Sequence, residues 1–420
     1  MSDSHRRVVI TGLGVITPVG NEVPSTWDAL LAGRSGAGPI TIFELTEGYT
    51  SRIACEVKDF DPLTFLEKKE ARRYDRFAQF GVGAAAEAMQ SAGLDAAPEG
   101  VAPERFGVIF GSGIGGISTM EAQHDILHSR GPGRVSPFFI PMFIPDIAAG
   151  LISIRFGSKG PNYATVSACA SGAHAIGDAF RFIERGDADI MIAGGGEATI
   201  TPLAVAGFAS MKALSTRNDD PEGASRPFDA GRDGFVIGEG AGCVVLEELE
   251  MALARDAPIV AEVVGYGLSA DAYHITMPAP EGKGAQYAMR TALDDARLNP
   301  EDVDYINAHG TSTIANDRNE TAAIKQVLGD SAYSVIVGST KSMTGHLLGA
   351  AGGVEAVVVA LVCQQGLIPQ TINLTDPDPE CDLDYAPHGV VERPVDVALS
   401  NSFGFGGHNA CLAIRAWRGE

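Results

Sequence analysis

Short runs of β-branched and apolar residues alternate along this chain with longer stretches whose apolar positions recur at helical spacing. The strand-like runs are 7–16 (RVVITGLGVI), 105–112 (RFGVIFGS), 190–195 (IMIAGG), 242–249 (GCVVLEEL), 259–267 (IVAEVVGYG), 303–310 (VDYINAHG), 334–340 (SVIVGST) and 410–416 (ACLAIRA). The helical stretches are 64–93, closing at Gly93; 172–186, closing at Gly186; 285–298; and 349–366. Strands alternating with helices predict an α/β fold. Residues 162–183 and 335–362 each read as strand, tight turn and Gly/Ala-rich helix, an echo that suggests a duplicated architecture jointed near 250–258.

Composition narrows the function classes. The formal net charge of −22 argues against general nucleic-acid binding. The six cysteines (55, 169, 243, 363, 381 and 411) show no CxxC spacing and no His at a zinc-finger interval. Neither a disulfide framework nor structural zinc is expected, and reduced thiols fit a cytoplasmic protein. The start, MSDSHRRVVITG, enters a strand-like run by Val8 and leaves no room for a targeting peptide. The most apolar run, VEAVVVALVC (354–363), is too short to span a bilayer and contains Glu355, so it reads as a buried helix and no membrane span is expected.

Glycine, at 51 residues, is concentrated around reactive side chains. In TVSACASGAHAIG (165–177), Cys169 lies where an extended run becomes a helix, a position whose macrodipole favours a thiolate. His309 in INAHGTST and His346 in STKSMTGHLLGAAG each follow a strand and adjoin Gly. Strand ends are where sites collect in open α/β sheets, so one Cys and two His form a plausible nucleophile–base set for acyl transfer. His5, His124, His128, His174, His388 and His408 lack that context and read as structural or surface. GSGIGG (111–116) fits a dinucleotide fingerprint but lacks a convincing acidic residue some 20 positions on, and GSTKSMTG (338–345) lacks the Gly that a phosphate loop needs before its Lys.

The motifs around Cys169, His309, Lys341–His346 and SNSFGFGG (400–407), in this order, together with VVITGLGVITPVG (8–20), SRPFDAGRDGFVIGEGAG (225–242) and SADAYHITMPAPEG (269–282), resemble the elongating, type II β-ketoacyl-[acyl-carrier-protein] synthases. The similarity runs from Val8 to about Asn409. It implies a thiolase-like fold of two similar α/β halves in a five-layered α-β-α-β-α core. Residues 1–255 would carry the nucleophile and 256–420 the two catalytic histidines. It implies a homodimer whose partner is acyl carrier protein bearing acyl and malonyl groups. By motif, Cys169 would accept the acyl group, and His309 and His346 would promote decarboxylation and stabilise the enolate. Lys341 would organise the site electrostatically. The backbone N–H groups of Cys169 and Phe405 would form an oxyanion hole, with Phe405 also gating.

The resemblance further assigns Thr276, Thr311 and Thr313 to the phosphopantetheine arm and Ile114 and Phe208 to the acyl tunnel. Carrier docking would fall to Lys69, Arg72, Arg73 and Lys212. The run KKEARRYDR (68–76) is expected to be one helix presenting Lys68, Arg72 and Arg76 on a single face, with Arg130 and Arg134 as weaker docking candidates. No cofactor is required and no catalytic metal is expected; a structural monovalent cation near Asn307, Glu355, Ser400 and Asn401 is left open. The chain departs from the family at His408, at Ile314–Asp317 and at Met142, Phe143 and Asp146, which leaves chain-length preference open. A type II polyketide ketosynthase shares the catalytic set. A non-catalytic chain-length-factor-like partner typically lacks the cysteine that is present here.

Overall fold

The computed structural model describes residues 6–419; His5 lies outside them. Ten strands lie side by side: β1 (Val8–Ile16), β2 (Phe106–Gly111), β3 (Asn162–Tyr163), β4 (Ile190–Glu197), β5 (Gly240–Glu248), β6 (Ala261–Ala270), β7 (Tyr305–Asn307), β8 (Ile336–Gly338), β9 (Val397–Gly404) and β10 (His408–Ala416). Their order is β8-β7-β9-β10-β6-β1-β5-β4-β2-β3. From β1 outward to β3, neighbours pair antiparallel, antiparallel, parallel and parallel. From β6 outward to β8 the same sequence of pairings recurs. The two five-stranded sheets meet through a short antiparallel contact, Val8 with Val263, Val9 with Glu262 and Ile10 with Ala261. The faint internal echo in the sequence is thus a repeated topology.

Five helices complete the layers: α1 (Arg76–Ser91), α2 (Ser171–Glu184), α3 (Lys283–Ala296), α4 (Ile314–Leu328) and α5 (Ala351–Gln365). Helix α1 covers the outer face of β1, β4 and β5, while α3, with α4 beside it, covers β6 and β10. Between the sheets lie α2 and α5, each touching strands of both halves. The result is the five-layered α-β-α-β-α order. Close approach of the outer helices depends on glycine at matched places. A Cβ on Gly14 would lie 1.9 Å from the Ala84 carbonyl oxygen, and one on Gly267 would lie 1.9 Å from that of Ala288.

The central layer explains the most apolar run of the chain. Every residue from Ala351 to Cys363 is buried. The span 348–365 is long and apolar enough to cross a membrane, yet 89% of it is buried inside the protein. A helix that is hydrophobic all round is the kind that packs between two layers.

One sequence expectation needs correction, and two elements, β9 and α4, have no counterpart among the predicted ones. Residues 64–93 are not one helix: a turn at Pro62–Thr64 and a short helix Lys68–Ala71 precede α1. Buried Asp75 is the cause. Its carboxylate accepts the Phe77 N–H at 3.3 Å, as an N-cap, and also Ser118 Oγ and Thr119 N–H. Lys68, Arg72 and Arg76 therefore share no continuous helix face, and Arg76 is engaged with Glu239 at 2.7 Å. Strand β9 went unread because Ser400, Asn401 and Ser402 look like loop residues, although all three are buried. Helix α4 was hidden by its polar N-terminal half, IANDRNE.

Candidate active site

The nucleophile candidate sits on a strained turn. Residues Ala168–Ala170 form a tight turn immediately before α2, and Ala168 takes a φ of +50°, where a side chain is unfavourable. Cys169, in the middle of this turn, is 6% exposed. Its Sγ faces two backbone N–H groups, its own and that of Phe405. The hairpin carrying Phe405 can come this close because residue 404 is glycine: a Cβ there would lie 2.7 Å from the Ser167 carbonyl oxygen.

The helix terminus does not by itself make this thiol acidic. Burial pushes the Cys169 pKa up to about 12, and the opposing influences, Lys341 and the two N–H groups, do not overcome it. The thiolate expected from the macrodipole is therefore not the resting form of the closed site.

His309 lies just beyond β7 and His346 just beyond the turn that carries Lys341, so equivalent strand ends deliver them to one place. Their rings stand 5.2 Å apart, centroid to centroid, and nearly perpendicular at 85°. His346 Nδ1 accepts the Leu348 N–H at 3.4 Å, which leaves its proton on Nε2. Burial holds both rings well below the usual imidazole range, and the Lys341 charge pushes the same way. Two neutral imidazoles face the cavity at neutral pH.

Two carboxylates position these groups, and neither was singled out from the sequence. Glu320 accepts the N–H groups of His309 and Gly310, each at 2.8 Å. Glu197 accepts the N–H groups of Gly113 (2.7 Å), Ile114 (3.2 Å) and Gly349 (3.0 Å) and the Ser112 hydroxyl (2.9 Å). Burial nevertheless pushes the Glu197 carboxyl up to about 7. Glu197 thereby takes the amides of Gly113 and Ile114, while those of Gly115 and Gly116 donate to Ser112 Oγ and the Phe143 carbonyl, which is why GSGIGG forms no phosphate cradle. The available signal was an acid closing the otherwise apolar run IMIAGGGE.

Lys341 is buried and ion-paired with Glu355, a partner the sequence alone did not establish. Burial pushes the Glu355 carboxyl up to about 7, opposed by Lys341. Glu355 Oε2, Asn307 Nδ2, Ser400 Oγ and Asn401 Oδ1 are buried polar atoms without a hydrogen-bond partner, and Ser400 stands opposite Asn307 across β9 and β7. Among the described residues, no group of three or more His, Cys, Asp or Glu side chains could hold a metal ion.

Cys169, His309 and His346 open onto one cavity of about 350 Å³, which Phe405, Phe208, Thr276, Thr311, Thr313 and Lys212 also line. Thr311 and Thr313 hydroxyls lie 2.9 Å apart. Ile114 is not part of the cavity wall; it packs in the apolar cluster that joins Cys169 to Phe208, Phe235 and Leu348. Lys69, Arg72 and Arg73 are exposed and do not line the cavity. The Arg73 guanidinium lies over the Phe138 ring at 4.2 Å.

Residues 5–252 match the family model for the beta-ketoacyl synthase N-terminal domain, and 260–375 match that for the C-terminal domain. The chain is 56% identical over 413 residues to a 3-oxoacyl-[acyl-carrier-protein] synthase 2 of Synechocystis sp., covering 98% of this chain and 99% of that protein. It is 54% identical to the Staphylococcus aureus protein of the same name, covering 98% of each. Among solved structures, a beta-ketoacyl synthase from Burkholderia phymatum superposes with a TM-score of 0.91 at 37% identity, over 98% of this chain and all of that one. A type II PKS ketosynthase solved with its acyl-carrier protein superposes with a TM-score of 0.91 at 36% identity, over 99% of this chain and all of that one.

Proposed function

Since the chain belongs to the beta-ketoacyl synthase family, we propose that Cys169 is its acyl acceptor and that His309 and His346 serve the malonyl half of the reaction. The activity is an acyltransferase activity: decarboxylative Claisen condensation of an enzyme-bound acyl group with malonyl-acyl carrier protein, in fatty-acid elongation. Identities of 54–56% over nearly whole lengths favour this reading over a polyketide ketosynthase.

In the first half, the Cys169 sulfur attacks the thioester carbonyl of acyl-carrier protein. A carbon–sulfur bond to Cys169 forms and the bond to pantetheine sulfur breaks; net, the thiol proton passes to the departing sulfur. The tetrahedral oxyanion is held by the N–H groups of Cys169 and Phe405, the pair that flanks Sγ. In the second half, malonyl-carrier loses carbon dioxide. The electron pair of the broken bond becomes an enolate, whose oxygen accepts N–H donation from the two imidazoles. Because the rings are neutral, they donate hydrogen bonds without protonating and quenching the enolate. Its carbon attacks the acyl-cysteine carbonyl, a carbon–carbon bond forms, the bond to the Cys169 sulfur breaks, and that sulfur takes up one proton from solvent. The product is a β-ketoacyl carrier two carbons longer. Burial, reinforced by the charge of Lys341, keeps both histidines neutral.

Acyl carrier protein is the partner, and the exposed cations Lys69, Arg72 and Arg73, with Lys212 at the cavity mouth, are the proposed docking points. Thr276, Thr311 and Thr313 would take the phosphopantetheine arm at the cavity wall, Phe208 the acyl chain, and Phe405 the gate. No organic cofactor enters this chemistry. The unpartnered oxygens of Glu355, Ser400 and Asn401 suit a structural monovalent cation, which would neutralise local charge without joining a step. A homodimer through β3 is proposed because that strand is an open sheet edge, with Ile154 at 80% and Val166 at 58% exposure close by in sequence. Six free, buried cysteines suit a reducing cytoplasm.

The observation that carries the reading is the convergence of Cys169 Sγ, two N–H groups and two neutral imidazoles on one cavity. Intact-mass spectrometry of wild type and Cys169→Ala, incubated with acyl- and malonyl-carrier protein, tests it. Wild type should gain one acyl mass and yield the extended product, and the variant should do neither. An acylated Cys169→Ala enzyme would refute the assignment.

A further inference from the structure

His174 lies one helical turn inside α2, and the sequence offered no reason to distinguish it from a structural histidine. In the fold it touches both parts of the site that face Cys169. Ser167 Oγ is 2.6 Å from His174 Nδ1. With Nδ1 taken by Ser167, Nε2 is the ring nitrogen left to meet the Asn409 backbone, whose influence on the ring favours a proton and so a donor facing the Asn409 carbonyl. With Nε2 as donor, Nδ1 keeps its lone pair, and the Ser167 hydroxyl donates to it.

The two ends of this bridge are not incidental. Ser167 immediately precedes strained Ala168 on the turn that presents Cys169. Its own N–H donates to Ser171 Oγ at 2.9 Å, and Ser171 Oγ donates in turn to the Ala168 carbonyl at 2.7 Å. Asn409 lies in β10 opposite Phe403 of β9, at the base of the hairpin whose turn carries Phe405. One ring thus ties the segment supplying the Cys169 N–H to the hairpin supplying the Phe405 N–H.

We propose that His174 is a positioning residue: through Ser167 and Asn409 it sets the spacing between the two backbone N–H groups that receive the acyl oxyanion. The inference rests on Cys169 being the acyl acceptor. A spacing error of a fraction of an ångström weakens an oxyanion hole, since its donors act only when aimed at the charge that develops. Direct displacement at sulfur forms no oxyanion, and it feels that spacing only through the influence of the two N–H groups on the thiol, which is smaller than those of burial and Lys341.

The test compares two reactions of Cys169 in wild type, Ser167→Ala and His174→Asn. The first is acyl loading from acyl-carrier protein, followed by intact mass; the second is alkylation by iodoacetamide at the same pH. Asn at 174 retains an acceptor for Ser167 but loses the donor to Asn409, so the two variants cut the bridge at different ends. Each should slow loading about tenfold, the effect of one lost hydrogen bond, and leave alkylation within about twofold. The double variant should be no slower than the worse single, because both cuts break one chain. Wild-type loading in both variants would overturn the proposal. So would a parallel fall of loading and alkylation, which marks general loss of structure. Wild type that alkylates but takes up no acyl group would instead overturn the reading of Cys169, and the proposal with it.

Discussion

Glu320→Gln is the change whose consequence the structure specifies most fully. The carboxylate is 2% exposed, and each of its oxygens accepts two hydrogen bonds. Oε1 accepts the His309 N–H at 2.8 Å and the Asn401 amide at 3.2 Å. Oε2 accepts the Gly310 N–H at 2.8 Å and the Asn316 amide at 3.4 Å. Glutamine keeps one oxygen and replaces the other with an NH₂ group. Whichever way the amide turns, one backbone N–H and one side-chain amide then face another donor. An orphaned buried donor costs about 1–3 kcal/mol. Removing a buried charge returns part of that, because burial already pushes this carboxyl up from its ordinary range. The expected net loss is about 2 kcal/mol, read as a lower midpoint in urea unfolding.

The catalytic effect should be uneven. Glu320 fixes the backbone of His309 and has no bond to the Cys169 turn. Loading of Cys169 should stay within a few-fold of wild type, while carbon dioxide release from malonyl-carrier by the pre-acylated enzyme should fall about tenfold or more, since misplacing a catalytic group by about 1 Å is expensive. Wild-type unfolding and decarboxylation in Glu320→Gln would refute the reasoning. So would equal losses in both half-reactions.

The remaining predictions address charge and packing. Lys341→Ala removes a positive charge that lowers both histidines, so their pKa values rise and the acid limb of the decarboxylation rate should move to higher pH; an unmoved limb would count against the electrostatic role. Glu87, pushed up to about 7 by burial, holds its proton in the folded chain over a range where the unfolded chain has lost it. Its contribution to stability is therefore complete below about pH 4.5 and lost as pH rises through about 7, and wild type should lose about 2 kcal/mol relative to Glu87→Gln across that window in urea unfolding. Gly14→Ala and Gly267→Ala should each destabilise by about 3 kcal/mol or more, because the new methyl would collide with a helix carbonyl of α1 or α3. Matched losses in thermal melts would mark the two sites as equivalents in the repeated halves, and tolerance of either substitution would contradict the close packing.

The chain's own order of residues determined the alternation of strands and helices, the buried character of 354–363 and the candidate trio Cys169, His309 and His346. These depend on local signals: β-branched runs, helical spacing, and reactive side chains beside glycine at element ends. The 64–93 region shows where local signals stop. Periodicity reads it as one helix, but Asp75 caps a new one, and its partners Ser118 and Thr119 lie more than 40 residues away. Strand β9 is unreadable for a similar reason. Its Ser400, Asn401 and Ser402 look solvent-facing, and only placement between β7 and β10 buries them. The tertiary structure alone decided that Glu197 and Glu320 hold the backbone on which the site is built, that Lys341 meets Glu355, and that His174 bridges the Cys169 turn to the Phe405 hairpin. The Glu197 contacts and the reach from His174 to the Phe405 hairpin join residues far apart in the chain, and the nearer pairs, Glu320 with His309 and Lys341 with Glu355, meet only because the chain folds back between them. The protonation states follow the same rule. A helix start favours a thiolate in principle, but the desolvation that holds Cys169 as a thiol and both histidines neutral exists only once two sheets close over them.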